Sequence, residues 1–393
     1  MPHVSPFRGL TYDVAVAGPL DRLTAPPYDV ISDPRRDRLL AGSPFNVVHL
    51  DLAEGSADPD APENRYDRAA ELLGTWRDQG VVRLDQEPGY YAYEMTFELG
   101  GRARRTRGVF VAMDLEPWGG DVLPHEDTMP GPVEDRLCLL RATRTHISAV
   151  YGTVSGPIDP LRNLLDARTS DDPQAYVRDD EGVDHRLWRL EPDLPIAGSL
   201  EGTHLLIADG HHRYTTALAY RDERRSVSGR GPWDRILTLV VDAASEHVPV
   251  LPYHRVQMAG PPPSDGDPVS SLEAVLAALD DDALRYGTVR RHGDGVRFAL
   301  HRLAGHPPTV EALHAQVLDM AAPGDALRFT HDVDDAVAAV ERGGAVATYL
   351  LPATTPQRIL AVVEAGERLP RKSTFFWPKP RTGIVMMPVD ADP

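Results

Sequence analysis

The sequence is poor in cysteine. Cys138 is the only cysteine among 393 residues, and it lies in the apolar stretch Leu137–Leu140. A single cysteine excludes a disulfide within the chain, and its apolar neighbours predict a side chain that packs in the core. A chain without disulfides fits a reducing compartment, so we expect a cytoplasmic protein.

Long apolar runs are also missing. No segment approaches the roughly 20 apolar residues that a membrane-spanning helix needs. Met1–Leu10 lacks the apolar stretch that is typical of a signal peptide. We therefore expect a soluble protein without a membrane partner.

Positive charge is outweighed by negative charge. Lysine and arginine number 41 against 59 aspartate and glutamate residues, which gives a formal net charge of −18. Nucleic-acid binders usually present a basic face, so we expect no nucleic acid partner, although a local basic pocket for phosphate stays compatible with this balance. Hydrophobic residues make up 42% of the chain, enough for a buried core, and the length predicts two or three packed units.

The pattern of apolar residues predicts an α/β fold. Helical spacing and strand-like alternation recur along the chain. The predicted helices cover 66–79, 133–145 and 211–223, and the predicted strands cover 45–50, 90–99, 107–115, 146–153 and 204–208. We expect the last three strands to share one central mixed sheet flanked by helices.

Composition also suggests how the chain divides into domains. Residues 258–268 are rich in proline and glycine, which is typical of a linker. We expect an N-terminal α/β part at 1–105, a catalytic core at 106–257 and, after the linker, a C-terminal α/β part at 269–393 that returns to the core.

The strongest candidate site follows a short apolar strand. Asp209 and Gly210 end this strand, and His211, His212 and Arg213 open the next helix. A helix start attracts anions, a glycine lets a phosphate approach the backbone, and an arginine can bind it bidentately. Residues 210–213 are therefore candidate phosphate ligands, and Asp209 is a candidate magnesium ligand or proton acceptor. The same residues also fit a plain helix start, with Asp209 as N-cap and a solvated first turn.

A second candidate is the polar segment Leu123–Thr128. Its Glu126, next to His125, has the chemistry of a general base that accepts the proton of a hydroxyl group. The segment is not a His-Glu-x-x-His zinc motif, because position 129 is methionine. A polar loop that leads into a helix has a similar composition, so this alternative stays open.

Two basic segments are further candidates. Arg102–Arg107 contains four arginines, among them Arg105, and forms either a phosphate contact or a solvated hairpin tip. Near the C-terminus, Lys372 is followed by Ser373 and Thr374, a sequence that can hold phosphate. No glycine loop precedes these residues, so they do not form a Walker A motif.

Taken in order, these motifs resemble a bacterial family called domain of unknown function 1015. The resemblance rests on segments that span the chain: Pro6–Leu10, Pro26–Ile31, Leu123–Glu126, Ala208–Tyr214 and Lys372–Phe376. The family's Asp-Gly-His-His-Arg stretch is similar to the phosphate motif of the ParB/sulfiredoxin-like superfamily. That superfamily includes chromosome-partition nucleotide switches, sulfiredoxin and free serine kinases. The resemblance implies a ParB/sulfiredoxin-like mixed-sheet core.

The free serine kinases of that superfamily suggest an activity. In them, a Pro-His-Glu segment supplies a catalytic glutamate, and a later Asp-Gly-x-His-Arg segment supplies an aspartate and the phosphate-binding helix start. The resemblance implies catalytic roles for Glu126, His125 and Asp209. It also implies a kinase that transfers a phosphoryl group from ATP, ADP or pyrophosphate, with Mg²⁺, to the hydroxyl of free serine or a similar amino acid. More than eighty residues separate the two segments here, against a few tens in the compact kinases.

Three other activities can be compared with the same motifs. A nucleotide-binding switch of ParB type, with no or slow hydrolysis, needs only the phosphate site, but no helix-turn-helix segment stands out after it. Sulfiredoxin-like repair needs a cysteine where this chain has His211. A metal hydrolase would combine His125, Glu126, Asp209, His211 and His212.

Overall fold

The computed structural model describes residues 2–154, 158–293, 295–306, 308–319 and 326–390. Contacts divide the chain into two compact units, one formed by Met1–His247 with Pro378–Pro393 and the other by Val248–Trp377. Helices and several sheets occur in the chain, as expected for an α/β fold. No helix in the described ranges is long and apolar enough to span a membrane. The sequence-based boundaries at 105, 257 and 268 stay a prediction.

The first unit is built around a mixed nine-stranded sheet. Its strands run in the order β6-β11-β8-β12-β5-β4-β10-β9, and β1 also pairs with β5. The strands up to residue 247 are β1 (Val4–Ser5), β2 (Leu10–Tyr12), β3 (Val82–Leu84), β4 (Tyr90–Leu99), β5 (Arg102–Asp114), β6 (Val122–Leu123), β7 (Thr145–His146), β8 (Val150–Val154), β9 (Ala175–Arg178), β10 (Asp184–Leu190), β11 (Leu205–Asp209) and β12 (Arg235–Asp242).

Helices accompany this sheet. They are α1 (Val14–Ala17), α2 (Asp33–Gly42), α3 (Val48–Asp51), α4 (Arg65–Asp78), α5 (Pro130–Thr143), α6 (Asp159–Arg168), α7 (Ile196–Ser199) and α8 (His211–Ser228), with 3₁₀ turns at Leu20–Arg22, Tyr28–Val30 and Pro232–Asp234. Fully buried valines, leucines and isoleucines of β5, β8, β11 and β12 form the main hydrophobic cluster with Tyr214 and Ala217 of α8. Burial of this apolar surface is the main stabilising contribution to the sheet.

Most of the sequence-based elements of this unit are confirmed. The expected central strands occur as β5, β8 and β11 of one sheet, and the glycine pair at 100–101 turns β4 into β5 as an antiparallel hairpin. The predicted strand 146–153 is interrupted, because His146 belongs to β7 and only Val150–Val154 joins the central sheet.

The prediction of a strand at 45–50 is wrong. The structure has the short helix α3 here. Buried Asn46 explains the difference, because its side-chain oxygen accepts a hydrogen bond from the Val48 amide at 3.0 Å. Its amide group donates to the Arg22 carbonyl at 2.8 Å. An asparagine that bonds nearby backbone favours a turn or helix start over an extended strand.

Two parallel strand pairs set the position of the candidate site. β6 runs parallel to β11, with Val122 opposite Leu205, and β8 runs parallel to β12. The Leu205 amide also donates to the Asp121 carbonyl at 2.8 Å. Parallel neighbours end at the same edge of a sheet, so the segments that follow β6 and β11 emerge side by side.

The second unit has its own six-stranded sheet in the order β15-β17-β16-β19-β14-β18, and β13 pairs with β20. Its strands are β13 (Val250–Pro252), β14 (His254–Gln257), β15 (Asp267–Val269), β16 (Arg285–His292), β17 (Gly295–Arg302), β18 (Leu327–Thr330), β19 (Ala347–Leu350) and β20 (Thr374–Phe376). Its helices are α9 (Leu272–Ala278), α10 (Thr309–Leu313) with a π-helical continuation at His314–Leu318, α11 (Val333–Glu341) and α12 (Pro356–Glu364).

The chain then returns to the first unit. β21 (Met387–Pro388) pairs antiparallel with β7. Met386 pairs with Leu10, and Thr382 pairs with Ala25. These backbone hydrogen bonds fix residues 382–388 against other parts of the first unit.

Candidate active site

The two segments that the sequence analysis singled out lie next to each other. His125 and Glu126 follow β6, whereas Asp209 ends β11 and Gly210 precedes α8. Because β6 and β11 are parallel neighbours, the gap of more than eighty residues in sequence is bridged by one strand pair. The structure thus brings the 125–129 loop and the start of α8 to the same edge of the sheet.

Two histidines at the start of α8 bind this loop. The backbone amide of His125 donates to Nε2 of His211 at 3.3 Å, and the amide of Met129 donates to Nε2 of His212 at 3.1 Å. The His125 and His211 rings also meet edge-on, with centroids 4.6 Å apart. Burial, reinforced by neighbouring His125, lowers the pKa of His211 well below its usual value, so this ring is neutral and its Nε2 can accept a hydrogen bond. The Nε2 atoms of both rings thus accept hydrogen bonds from the loop, and phosphate binding by these two residues stays a prediction.

His125 is buried beside Glu126. Its Nδ1 bonds the Ile207 carbonyl at 2.8 Å, so this nitrogen carries the proton. Its Nε2 lies 3.8 Å from Oε1 of Glu126. The ring is 1% exposed, whereas the Glu126 side chain is 19% exposed. His125 therefore lies next to Glu126 in the interior, and Glu126 is the member of the pair that can meet a substrate.

Gly210 makes the turn from β11 into α8. Its φ of +98° lies in the left-handed region, which glycine adopts without a steric penalty. A Cβ atom at this position would also lie 3.1 Å from the Arg213 guanidinium carbon. No side chain caps this helix start, and Tyr214 makes the first helical hydrogen bond, to the Gly210 carbonyl at 2.9 Å. The preceding amides belong to the unsatisfied first turn, as an anion site requires.

Arg213 folds back over this turn. Its Nη2 pairs with Asp209, and its Nη1 donates to Ser148 Oγ at 3.1 Å and to the Ala149 carbonyl. Both terminal nitrogens are thus engaged by protein oxygens. A phosphate bound by Arg213 has to share or displace these contacts.

Asp209 is the electrostatic centre of the site. Its buried carboxylate pairs with Arg213 and with the Lys379 ammonium, which also lies 3.7 Å from Asp29 Oδ2. Burial alone would raise the pKa of Asp209, but Lys379 and Arg213 outweigh it and hold that pKa well below its usual value. Asp209 is therefore a permanent carboxylate that fixes two cations at the start of α8.

A buried hydrogen-bond chain holds the segment that carries Lys379. The Arg381 amide donates to the Tyr93 hydroxyl at 3.1 Å, and Tyr93 bonds Nδ1 of His185 at 2.7 Å. Nε2 of His185 bonds Asp179 at 3.0 Å. The Arg381 guanidinium donates to the Thr24 carbonyl at 2.6 Å. Burial lowers the pKa of His185, so the ring stays neutral and the direction of the chain is fixed.

Four further residues were predicted to bind phosphate. Arg105 is in β5, half exposed, with Nη1 3.9 Å from Glu94. Lys372, Ser373 and Thr374 belong to the second unit. There, the Lys372 carbonyl accepts a bond from an arginine at 3.0 Å, and Ser373 and Thr374 are buried. Phosphate binding by these four residues stays a prediction.

The donor set around Asp209 bears on the expected metal. In the ranges that the structure describes, no three His, Cys, Asp or Glu side chains form a group that could hold a metal ion. Asp209 meets an ammonium and a guanidinium, which compete with a cation for its oxygens. A magnesium site at Asp209 stays a prediction.

Sequence reasoning missed Lys379 and Asp29. Both lie in motifs that were noticed for other reasons, Asp29 within Pro26–Ile31 and Lys379 just beyond Lys372–Phe376. The rarity of lysine could have indicated Lys379, because Lys372 and Lys379 are the only lysines of the chain. Lysine is a common phosphate ligand, so a rare lysine between two prolines was informative.

Comparison with known proteins identifies the family of this chain and several remote structural matches. No curated protein matches the sequence. Among solved structures, a free serine kinase in complex with AMP matches at 13% identity over 68% of this chain and 86% of that chain, with a TM-score of 0.36. SbnI with a C-terminal truncation, from Staphylococcus aureus, matches at 12% identity over 72% and 90%, with a TM-score of 0.37. A conserved hypothetical protein from Pyrococcus furiosus matches at 14% identity over 70% and 91%, with a TM-score of 0.35.

All three likenesses are remote, with TM-scores below 0.5. The family model is more informative, since it matches residues 4–298, which include β6, β11 and the start of α8. The chain belongs to the family described as protein of unknown function DUF1015.

Proposed function

We propose that this protein is a phosphotransferase that moves a phosphoryl group from a nucleotide or pyrophosphate to the hydroxyl of a small acceptor. The observation that carries the proposal is the convergence of Glu126 with the Asp209–Arg213 turn at one sheet edge, with Lys379 bound to Asp209. Phosphoryl transfer needs a cradle for donor phosphates, positive charge and a base near the acceptor. The residues at this edge supply all three.

Each group has a distinct role in the proposed step. The first-turn amides of α8 bind the donor phosphate, and Lys379 neutralises the charge that develops on its oxygens. Glu126 accepts the proton as the acceptor oxygen bonds to phosphorus, and the bond from phosphorus to the leaving phosphate breaks. His125 holds the loop that carries Glu126 against β11 through the bond from its Nδ1 to the Ile207 carbonyl at 2.8 Å.

The acceptor is proposed from the resemblance of the motifs to free serine kinases. Free serine or a similar amino acid supplies the hydroxyl, and ATP, ADP or pyrophosphate supplies the phosphoryl group. A magnesium ion that accompanies a nucleotide donor belongs to this proposal, as do a ParB/sulfiredoxin-like core and a cytoplasmic location. The alternative is a nucleotide-binding switch, which needs the phosphate site but not Glu126.

The test is a screen of these three donors against free amino acids, with phosphorylated products detected by mass spectrometry. Glu126→Gln keeps the shape and removes the base, so turnover should fall roughly 10²–10⁴-fold while donor binding is kept. Glu71→Gln, on the exposed face of α4, is the matched control and should leave turnover unchanged. Full activity of Glu126→Gln would refute the assigned base. Nucleotide binding without transfer to any acceptor would favour the switch.

A further inference from the structure

A small cavity with both polar and apolar walls lies beside the candidate active site. It is formed by α5, α8 and residues 145–148, and its volume is about 40 Å³. The apolar part of its wall includes Leu139 and Leu140. The polar part includes Asp51, Arg136, Ser148 and Arg213. One water needs roughly 10–15 Å³ of such space, so the cavity holds only a few non-hydrogen atoms. It is therefore too small for a nucleotide base and fits the polar end of a small molecule.

The cavity wall contains a buried carboxylate that is only half satisfied. Asp51 Oδ1 accepts from Arg136 Nη1 at 2.8 Å, whereas Oδ2 has no hydrogen-bond partner among the described residues. Asp51 is 4% exposed. Burial raises its pKa, although Arg136 opposes the shift. Buried charged oxygens are normally paired, so Oδ2 calls for a hydrogen-bond donor that none of the residues described by the structure provides.

Arg213 contributes the complementary group. Its Nε is buried without a partner among the described residues, while its other nitrogens bond Asp209, Ser148 and the Ala149 carbonyl. Arg213 therefore connects the cavity with the carboxylate that binds Lys379. A ligand that satisfies both open groups must carry a donor for Asp51 and an acceptor for Arg213.

We propose that this cavity recognises the zwitterionic end of the phosphoryl acceptor, with the ammonium at Asp51 and the carboxylate at Arg213. The inference rests on the proposed function, because it names the acceptor of the same site as a small free amino acid. A hydroxy acid has the same carboxylate and hydroxyl but no ammonium. Asp51 would then be the residue that selects an amino acid over a hydroxy acid.

The experiment compares L-serine with glycerate as acceptors and measures L-serine binding by calorimetry without a donor. Asp51→Asn keeps an oxygen for Arg136 but removes the charge. We expect it to weaken L-serine binding by 30-fold or more and to lower the serine-to-glycerate ratio of kcat/KM by a similar factor. A purely structural role would lower kcat/KM for both acceptors and leave the ratio unchanged.

Two further variants keep the result interpretable. Asp135→Asn is the matched control, because Asp135 pairs with the same Arg136 at 2.6 Å without lining the cavity, so L-serine binding should be unchanged. Leu139→Phe should fill the cavity and abolish L-serine binding without altering charge.

The outcomes separate this inference from the proposed function. If serine is phosphorylated and Asp51→Asn leaves the ratio unchanged, the cavity assignment is refuted while the kinase stands. If no phosphoryl transfer occurs but L-serine binding depends on Asp51 and Leu139, the cavity stands and the kinase fails. Failure of the wild-type protein to bind any free amino acid would overturn the inference.

Discussion

The ion pair between Lys379 and Asp209 gives the sharpest test of the site. Lys379→Met replaces a buried ammonium, 8% exposed, by an apolar side chain of similar length. Breaking a buried pair by removing one partner typically costs about 3–5 kcal/mol, and Arg213 remains as a second cation for Asp209, so we expect a loss of about 3 kcal/mol. The pKa of Asp209 should rise, because one of the two cations that hold it down is gone.

A double-mutant cycle isolates the interaction. Asp209→Asn alone leaves Lys379 and Arg213 without their carboxylate and should cost a similar amount. The double variant should then cost about 2–3 kcal/mol less than the sum of the two single variants, the coupling expected for residues in direct contact. Additivity within about 0.5 kcal/mol would refute the buried pair. Lys372→Met is the control, because it removes the only other lysine from a different unit and should change the stability of the first unit little.

The assay is urea unfolding followed by tryptophan fluorescence. Trp76, Trp118, Trp188 and Trp233 belong to the first unit and only Trp377 belongs to the second. The signal therefore reports chiefly on the unit that contains the ion pair. This matters because two units can unfold separately, and a single transition then has no defined free energy.

Two further predictions concern the protonation of a buried histidine at low pH and the backbone strain at Gly210. Burial lowers the pKa of His146 from 6.5 to about 4, although a bond to the Arg235 carbonyl opposes the shift. Between pH 6.5 and 4 only the unfolded chain binds a proton at this histidine, so the free energy of unfolding should fall by up to about 3 kcal/mol as the pH falls through this window. In the His146→Gln variant this histidine contribution to the pH dependence should be absent. Gly210→Ala should cost about 1–3 kcal/mol, because φ is +98° and the new Cβ meets the Arg213 guanidinium. Gly100→Ala, at φ +60° in open space, should cost clearly less in the same unfolding assay, and equal losses would contradict the steric contribution.

Local patterns in the sequence predict the parts of the site that are formed locally. The strand-Asp-Gly-helix order correctly gives the start of α8, and Gly210 adopts the left-handed conformation for which glycine is needed. The paired glycines at 100–101 likewise mark the turn between β4 and β5. In these cases a few neighbouring residues determine the backbone, so the relevant information lies within a short window.

The contacts that assemble the site are long-range and were less predictable. β6 has only two residues, Val122 and Leu123, too few for an alternating pattern, yet its pairing with β11 brings Glu126 to the start of α8. His211 and His212 accept hydrogen bonds from loop amides that come from more than eighty residues earlier in the chain, a contact that the local pattern does not contain. Which nitrogen donates and which accepts depends on burial and neighbours, which a sequence does not display.

The position of Lys379 could be inferred from the composition of the chain, not from a local pattern. Lysine and arginine together number 41, and all but Lys372 and Lys379 are arginine, so the ordinary ion pairs of this protein are made by guanidinium groups. A guanidinium is planar and presents its donors in a fixed fork, whereas an ammonium presents three donors from one compact nitrogen. The Lys379 ammonium pairs with Asp209 and lies 3.7 Å from Asp29 Oδ2, so one compact group is close to two carboxylates. In the proposed function the same nitrogen would also have a donor left for a phosphoryl oxygen, and one of the two lysines of the chain thus lies at the candidate site.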